Sequence, residues 1–191
     1  MGEGVVDMNE VIFKEVWEKG NYRLGSTAQR LVPYLSRILP VGAEINDYGC
    51  GTGRADVLLL KAGYKINMVD FVDNALEKEA RSFIGKGLNY FVAPLWKLPD
   101  NFPVVDWGIC INVLMTVDPE RLEEIQKEMR RTCRNLIVEA YDWEDIRLGR
   151  DMTTIKMDAD GWAKEMNRYW TSVEKIKSPE NPRRYITVCR A

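Results

Sequence analysis

The sequence predicts an α/β protein, a mainly parallel β-sheet covered by helices on both faces. Three observations carry that prediction. From residue 43 onward, short apolar runs alternate with helical stretches, as in consecutive βαβ units. A glycine-rich turn, Gly49-Cys50-Gly51-Thr52-Gly53, stands between the first run and the first of those helices. The last two runs are joined by a turn instead of a helix, which sets one antiparallel strand at the end of the sheet.

Each element has its own justification. Residues 7 to 39 read as helical: Asp7 or Asn9 caps a segment whose Ile12, Phe13, Val16 and Trp17 share one face, and Gly20 stops it. After a loop from Asn21 to Gly25, Ser26 and Gln29 form a capping box for a second helix that Pro33 should kink and Pro40 ends. The apolar runs Ala43–Tyr48, Lys65–Val69, Leu88–Ala93, Val105–Asn112 and Asn135–Ala140 are the expected strands. Between them lie helices over Arg54–Ala62, Asn74–Phe83 and Pro119–Thr132, the last with Asp118 as cap and Pro119 at its first position. Ser172–Lys177 and Arg184–Arg190, joined through Ser178-Pro-Glu-Asn-Pro182, make the closing hairpin. No repeat or linker divides the chain, so residues 1–191 are expected to form one domain, with 1–42 as a helical segment covering the site.

Composition removes several chemistries. Among 191 residues there is no histidine, which excludes Ser-His-Asp and Cys-His nucleophile systems and any imidazole zinc site. No metal is expected. The 27 basic and 29 acidic side chains leave a net charge of -2, which argues against nucleic acid or an anionic membrane as partner. Cys50, Cys110, Cys133 and Cys189 are widely spaced and read as reduced thiols. With no signal-like N-terminus and no membrane-length apolar run, a soluble, cytoplasmic protein is expected.

The glycine turn is where ligand chemistry is expected. Glycine lets a ligand approach the backbone and permits the tight turn. A dinucleotide fingerprint requires Gly or Ala at the sixth position. Counted from Gly49 that residue is Arg54, and from Gly51 it is Asp56, so a nicotinamide cofactor loses its main support. Asp47 ends the first strand, and Asp70 ends the second, 17 residues after Gly53, close to the ~20 at which a carboxylate can take ribose hydroxyls.

These residues resemble a known family. Asp47-x-Gly49-Cys50-Gly51-Thr52-Gly53, with Asp70 after the next strand, is similar to the signature of class I S-adenosylmethionine-dependent methyltransferases. The resemblance runs from Ala43 to the final hairpin. It implies a Rossmann-like fold of seven strands, the C-terminal one antiparallel, and S-adenosylmethionine as cofactor. It also implies that Asp47, Gly49, Cys50, Gly51 and Gly53 lie at the methionine and ribose part, that Asp70 binds the ribose, and that Phe71 flanks the adenine. Pro94 stands where the family commonly has an acid for the adenine amino group, which leaves that role to Leu95 or Trp96. Tyr22 and Arg23 are expected to close over the cofactor, Arg23 facing its carboxylate. Asn46 stands at a usually aliphatic position and is expected to tie the loop to the adjacent strand.

The acceptor side departs from the family pattern. Met115-Thr116 occupies the place of a frequent Glu-His pair, so methyl transfer must proceed without a histidine base. Candidates at the strand ends are Asn112, Glu139, Tyr141 and Asp142. Trp17, Trp143 and Trp162 lie in segments that could cover a flat or cationic acceptor, whereas Arg183 and Arg184 read as solvated. The expected function is methyl transfer to a small molecule. A binding module without catalysis, transfer to a protein or nucleic acid, and a nicotinamide-dependent reductase stay open as alternatives.

Overall fold

A computed structural model describes residues 8–19, 22–178, 181 and 183–191. The chain enters through α1 (Met8–Lys19), α2 (Tyr22–Gly25), a 3-10 turn (Ala28–Leu31) and α3 (Val32–Ile38). Asp7, Gly20 and Asn21, to which a cap, a stop and a loop were assigned, lie outside the described residues, and Asn9 falls within α1. The capping box at Ser26 is not formed. Ser26 Oγ instead meets Thr52 Oγ1 at 3.0 Å, tying this segment to the glycine turn. Pro33 does not kink a helix, because it occupies the first turn of α3, where its missing N–H is not needed.

The alternation that follows is β1 (Glu44–Tyr48), α4 (Arg54–Lys61), β2 (Lys65–Asp70), α5 (Lys78–Ser82), β3 (Leu88–Val92), β4 (Val105–Ile111), α6 (Leu122–Thr132) and β5 (Cys133–Tyr141). The helix expected over 74–83 is divided into a 3-10 turn at Asp73–Ala75 and α5, with Leu76 extended between them. Asp118 caps as expected, accepting from Glu120 N at 3.0 Å. A short hairpin, β6 (Ile146–Arg147) and β7 (Arg150–Asp151), and helix α7 (Ala159–Met166) were not anticipated. The sequence signal for α7 is Asp158, whose carboxylate accepts from Gly161 N at 2.8 Å. The chain closes with β8 (Ser172–Lys177) and β9 (Arg184–Arg190).

Seven strands form one sheet in the order β3-β2-β1-β4-β5-β9-β8. All are parallel to their neighbours except β9, which is antiparallel to β5 and to β8. From β1 the order runs one way to β2 and β3 and the other way to β4 and β5. A crevice therefore opens beyond the carboxyl ends of β1 and β4, where open α/β sheets bind ligands.

Both faces are covered. Tyr48, Leu114, Met115, Ile125, Met129 and Leu136 pack on one, and Leu31, Leu35, Ile45, Leu59, Ile66 and Ile137 on the other. Trp162 belongs to the first cluster and is 1% exposed, so it fills the core instead of covering the site.

Asn46 does not reach the glycine turn. Its Oδ1 accepts from Asn67 Nδ2 at 3.1 Å, and Asn67 Oδ1 accepts from Asn89 Nδ2 at 2.8 Å, a ladder of amides across β1, β2 and β3. Asn46 Nδ2 donates to Pro103 O at 2.9 Å and Thr132 O at 3.1 Å, fastening the segments that lead into β4 and β5. A buried amide is satisfied by the sheet itself.

Candidate functional site

The glycine turn bends back on the neighbouring strand. Gly49 N and Cys50 N both donate to Val69 O, at 2.8 and 3.1 Å. Gly49 has φ 82°, and a Cβ there would stand 2.4 Å from the Val113 side chain, so only glycine fits. Gly51 N donates to Asp70 Oδ2 at 2.9 Å, and Val72 N to Asp70 Oδ1 at 3.2 Å. Asp70 is thereby fixed at the end of β2. Burial raises its carboxyl to about 6 although those backbone donors favour the anion.

One cavity lies against this turn. Gly49, Cys50, Gly51, Asp70 and Phe71 form its floor, and Leu95 and Trp96 follow from the loop after β3. Across from them are Asn112, Val113, Tyr141, Trp143 and Arg184, at the ends of β4, β5 and β9. Phe13, Trp17 and Tyr22 close the top from α1 and α2. Phe13 meets Phe71 edge-on at 5.4 Å, and Phe71 meets Trp96 at 6.5 Å. The Trp17 ring lies 3.2 Å from where a Cβ on Gly51 would be.

Ten of the sequence-derived candidates meet in this cavity: Tyr22, Gly49, Cys50, Gly51, Asp70, Phe71, Leu95, Trp96, Asn112 and Tyr141. Asp47, Gly53, Arg23 and Asp142 are placed elsewhere. Asp47 is buried beneath the turn facing Asp56 of α4, and burial with that neighbouring carboxyl pushes its acid well up. Gly53 heads α4 at φ 71°, pressed against Ala80 and Leu76. Arg23 turns away from the cavity: its Nη1 donates to Ala75 O at 2.8 Å, its Nη2 to Asn74 O, and its guanidinium lies 5.9 Å over Trp17. Asp142 accepts from Tyr185 Oη at 2.7 Å and Arg183 at 3.2 Å, which hold its carboxyl below the usual range.

The main addition is Arg184, read as solvated from the sequence but placed in the cavity wall. Its Nη1 donates to Asn112 Oδ1 at 2.7 Å and to Glu139 Oε2 at 3.2 Å. Glu139 is fully buried and also takes both of its oxygens to Arg30 Nη2, each at 2.7 Å. The signal was available: a Glu between Val138 and Ala140 in a buried strand must be met by a cation. Arg147 is the second addition. It pairs with Asp145 at 2.7 Å and lies 5.2 Å over Tyr22, spanning the mouth between β6 and α2.

Proton chemistry in the cavity is restricted. Burial raises the phenols of Tyr22 and Tyr141 above their ordinary value, so both stay protonated donors near neutrality. Burial and nearby carboxylates raise the Cys50 thiol, so it is no nucleophile. Among the described residues, no group of His, Cys, Asp and Glu is arranged to hold a metal ion. No helix among them is long and apolar enough to cross a membrane.

Residues 45–135 match the family model described as a methyltransferase domain. No curated protein matches the sequence significantly. Among solved structures, a Burkholderia thailandensis 1,6-didemethyltoxoflavin-N1-methyltransferase, bound to 1,6-didemethyltoxoflavin and S-adenosylhomocysteine, is similar at TM-score 0.76 and 15% identity. That likeness covers 95% of this chain and 86% of the other. Magnesium protoporphyrin IX methyltransferase from Synechocystis PCC 6803, with bound S-adenosylmethionine, is similar at TM-score 0.70 and 15% identity, covering 100% of each chain. The methyltransferase domain of bacterial CtHen1-C gives TM-score 0.67 and 22% identity over 85% of this chain and 97% of its own. At these identities the likeness shows the fold, which is the Rossmann-like one of class I methyltransferases.

Proposed function

We propose, from the match of residues 45–135 to a methyltransferase-domain model and the fold shared with class I methyltransferases, that the chain transfers a methyl group from S-adenosylmethionine to a small-molecule acceptor. The observation that carries this is Asp70, a carboxylate held at the cavity floor by Gly51 N and Val72 N, beside a glycine turn that lines the same cavity. Each Asp70 oxygen takes one backbone donor and keeps lone pairs for two hydroxyls, which fits a ribose. Gly49, Cys50 and Gly51 would face the methionine part, with Leu95, Trp96 and Phe71 around the base. Asp47 and Gly53 support the turn from below.

When bound, S-adenosylmethionine supplies a methyl group already activated on a sulfonium. The chain's own contribution is alignment and exclusion of water. Phe13, Trp17 and Tyr22 cover the floor, and Asn112 and Tyr141 present polar atoms on the opposite wall. With no histidine in the chain and both phenols protonated, any base at the acceptor would be a carboxylate of the lining such as Asp145, and an acceptor that needs little deprotonation requires none. Enclosure by α1, α2 and the β6 hairpin supports a small acceptor over a polymer. The net charge of -2 and four unpaired cysteines support a cytoplasmic enzyme acting without nucleic acid.

Calorimetry with S-adenosylhomocysteine tests the reading. Tight binding at pH 8 is expected, weakening about tenfold by pH 5 as Asp70 takes up a proton. Asp70→Ala should lose binding by at least about tenfold and lose the pH dependence with it. Equal affinity in the variant would overturn the assignment.

A further inference from the structure

The arginines around the cavity point to the charge of the acceptor. Four of its aromatic walls each carry a guanidinium on the ring. Arg23 lies 5.9 Å over Trp17, Arg121 5.4 Å over Trp96, Arg147 5.2 Å over Tyr22, and Arg184 5.0 Å over Trp143. Each of these rings already has one of the protein's own cations beside it. A cationic acceptor would meet like charge at all four.

Arg184 goes further than the others. Its two hydrogen bonds among the described residues leave from Nη1, to Asn112 and Glu139. On one side it adjoins the stacked pair of Tyr141 and Trp143, whose ring centres lie 5.4 and 5.0 Å from its guanidinium carbon. The edge formed by Nε and Nη2 has no hydrogen-bond partner among the described residues, on a side chain that is 15% exposed and lines the cavity. A guanidinium tied at Nη1 to two acceptors and packed on one side against an aromatic pair presents that edge to the cavity in a restricted geometry. Two parallel N–H donors at one edge fit a carboxylate in bidentate fashion. Arg23, Arg121 and Arg147 are instead engaged with backbone carbonyls or carboxylates.

We propose that Arg184 is the acceptor-recognition residue, and that the acceptor is a small, flat, aromatic carboxylate whose acid group docks on the Nε/Nη2 edge. The flat body follows from Trp143 and Val113, which line the same wall of the cavity as Arg184. An RNA acceptor is disfavoured, because the cation lies inside the cavity and the chain as a whole is acidic. Asn112, held by Nη1 of the same arginine through its Oδ1, keeps its Nδ2 for the acceptor's other polar group. The inference rests on the cofactor reading above and extends it to the other half of the site.

The test uses the whole protein saturated with S-adenosylhomocysteine and titrated with acid–amide pairs: benzoate and benzamide, 4-hydroxybenzoate and 4-hydroxybenzamide, anthranilate and 2-aminobenzamide. At least one acid should bind about tenfold tighter than its amide. That preference should vanish in Arg184→Met, shrink in Arg184→Lys, and persist in Arg183→Met, which removes a neighbouring exposed charge. Thermal unfolding of each variant establishes that it is folded, and Arg184→Lys carries the test if Arg184→Met is not. The proposal is overturned if no acid exceeds its amide, if the preference survives at Arg184, if both arginine variants lose it equally, or if a short single-stranded RNA binds in place of the acids. Failure of S-adenosylhomocysteine itself to bind would instead sink the cofactor reading, which is measured first.

Discussion

Asp47 and Asp56 are two carboxyls buried against each other below the glycine turn, 5% and 0% exposed. Neither Asp56 oxygen has a hydrogen-bond partner among the described residues. Burial lifts the Asp56 acid to about 7 and drives Asp47 well above its ordinary value. The folded state thus holds protons that the unfolded chain releases above its ordinary carboxyl range. The associated stability is complete below about pH 4 and lost progressively as pH rises to about 7. Asp56→Asn should remove that loss, leaving a protein about 1–3 kcal/mol more stable than the parent at pH 8 and little changed at about pH 4. Urea unfolding at the two pH values measures it, and a variant equally unstable at pH 8 would count against the repulsion. The sequence located Asp47 beside the turn, but its partner could not be read there, since nothing marks Asp56 as inward-facing except the register of α4.

At the scale of elements, the amide ladder shows how polar residues can serve a parallel sheet. Asn46, Asn67 and Asn89 stand in register on β1, β2 and β3 and satisfy one another. Asn67→Ala should strand the buried Asn46 carbonyl oxygen, costing about 1–3 kcal/mol in chemical denaturation, with an unchanged m-value. A loss under about 0.5 kcal/mol would mean water replaces the bonds. Strand positions were legible because apolar runs between helices have few alternatives, and the turn was legible because three glycines in five residues leave little else. The β6–β7 hairpin and α7 were not. Two-residue strands have no periodicity to detect, and α7 follows directly on an irregular stretch.

Across the whole molecule, Glu139 gathers parts of the chain that are far apart in sequence. It receives Arg30 from the N-terminal segment and Arg184 from the last strand, and Arg184 in turn holds Asn112 after β4. Glu139→Ala leaves two guanidiniums near the cavity without their shared anion. A destabilisation of about 3–5 kcal/mol is expected in thermal or urea unfolding, and a change below about 1 kcal/mol would show that solvent compensates both cations. The cofactor half of the site was readable because its residues are contiguous in the turn and at the end of β2. The acceptor half was not, because it is assembled from the ends of β4, β5 and β9, and their proximity follows only from the strand order.

The span from Arg147 to Tyr22 has a kinetic consequence. A single cation–π pair at 5.2 Å bridges two segments of the cavity lining, above the space that the proposed cofactor and acceptor would share. Such a contact is weak enough to open and close readily. It latches the N-terminal cover to the β6 hairpin over the cavity, so that ligand exchange on the proposed reading would be eased by Arg147→Ala.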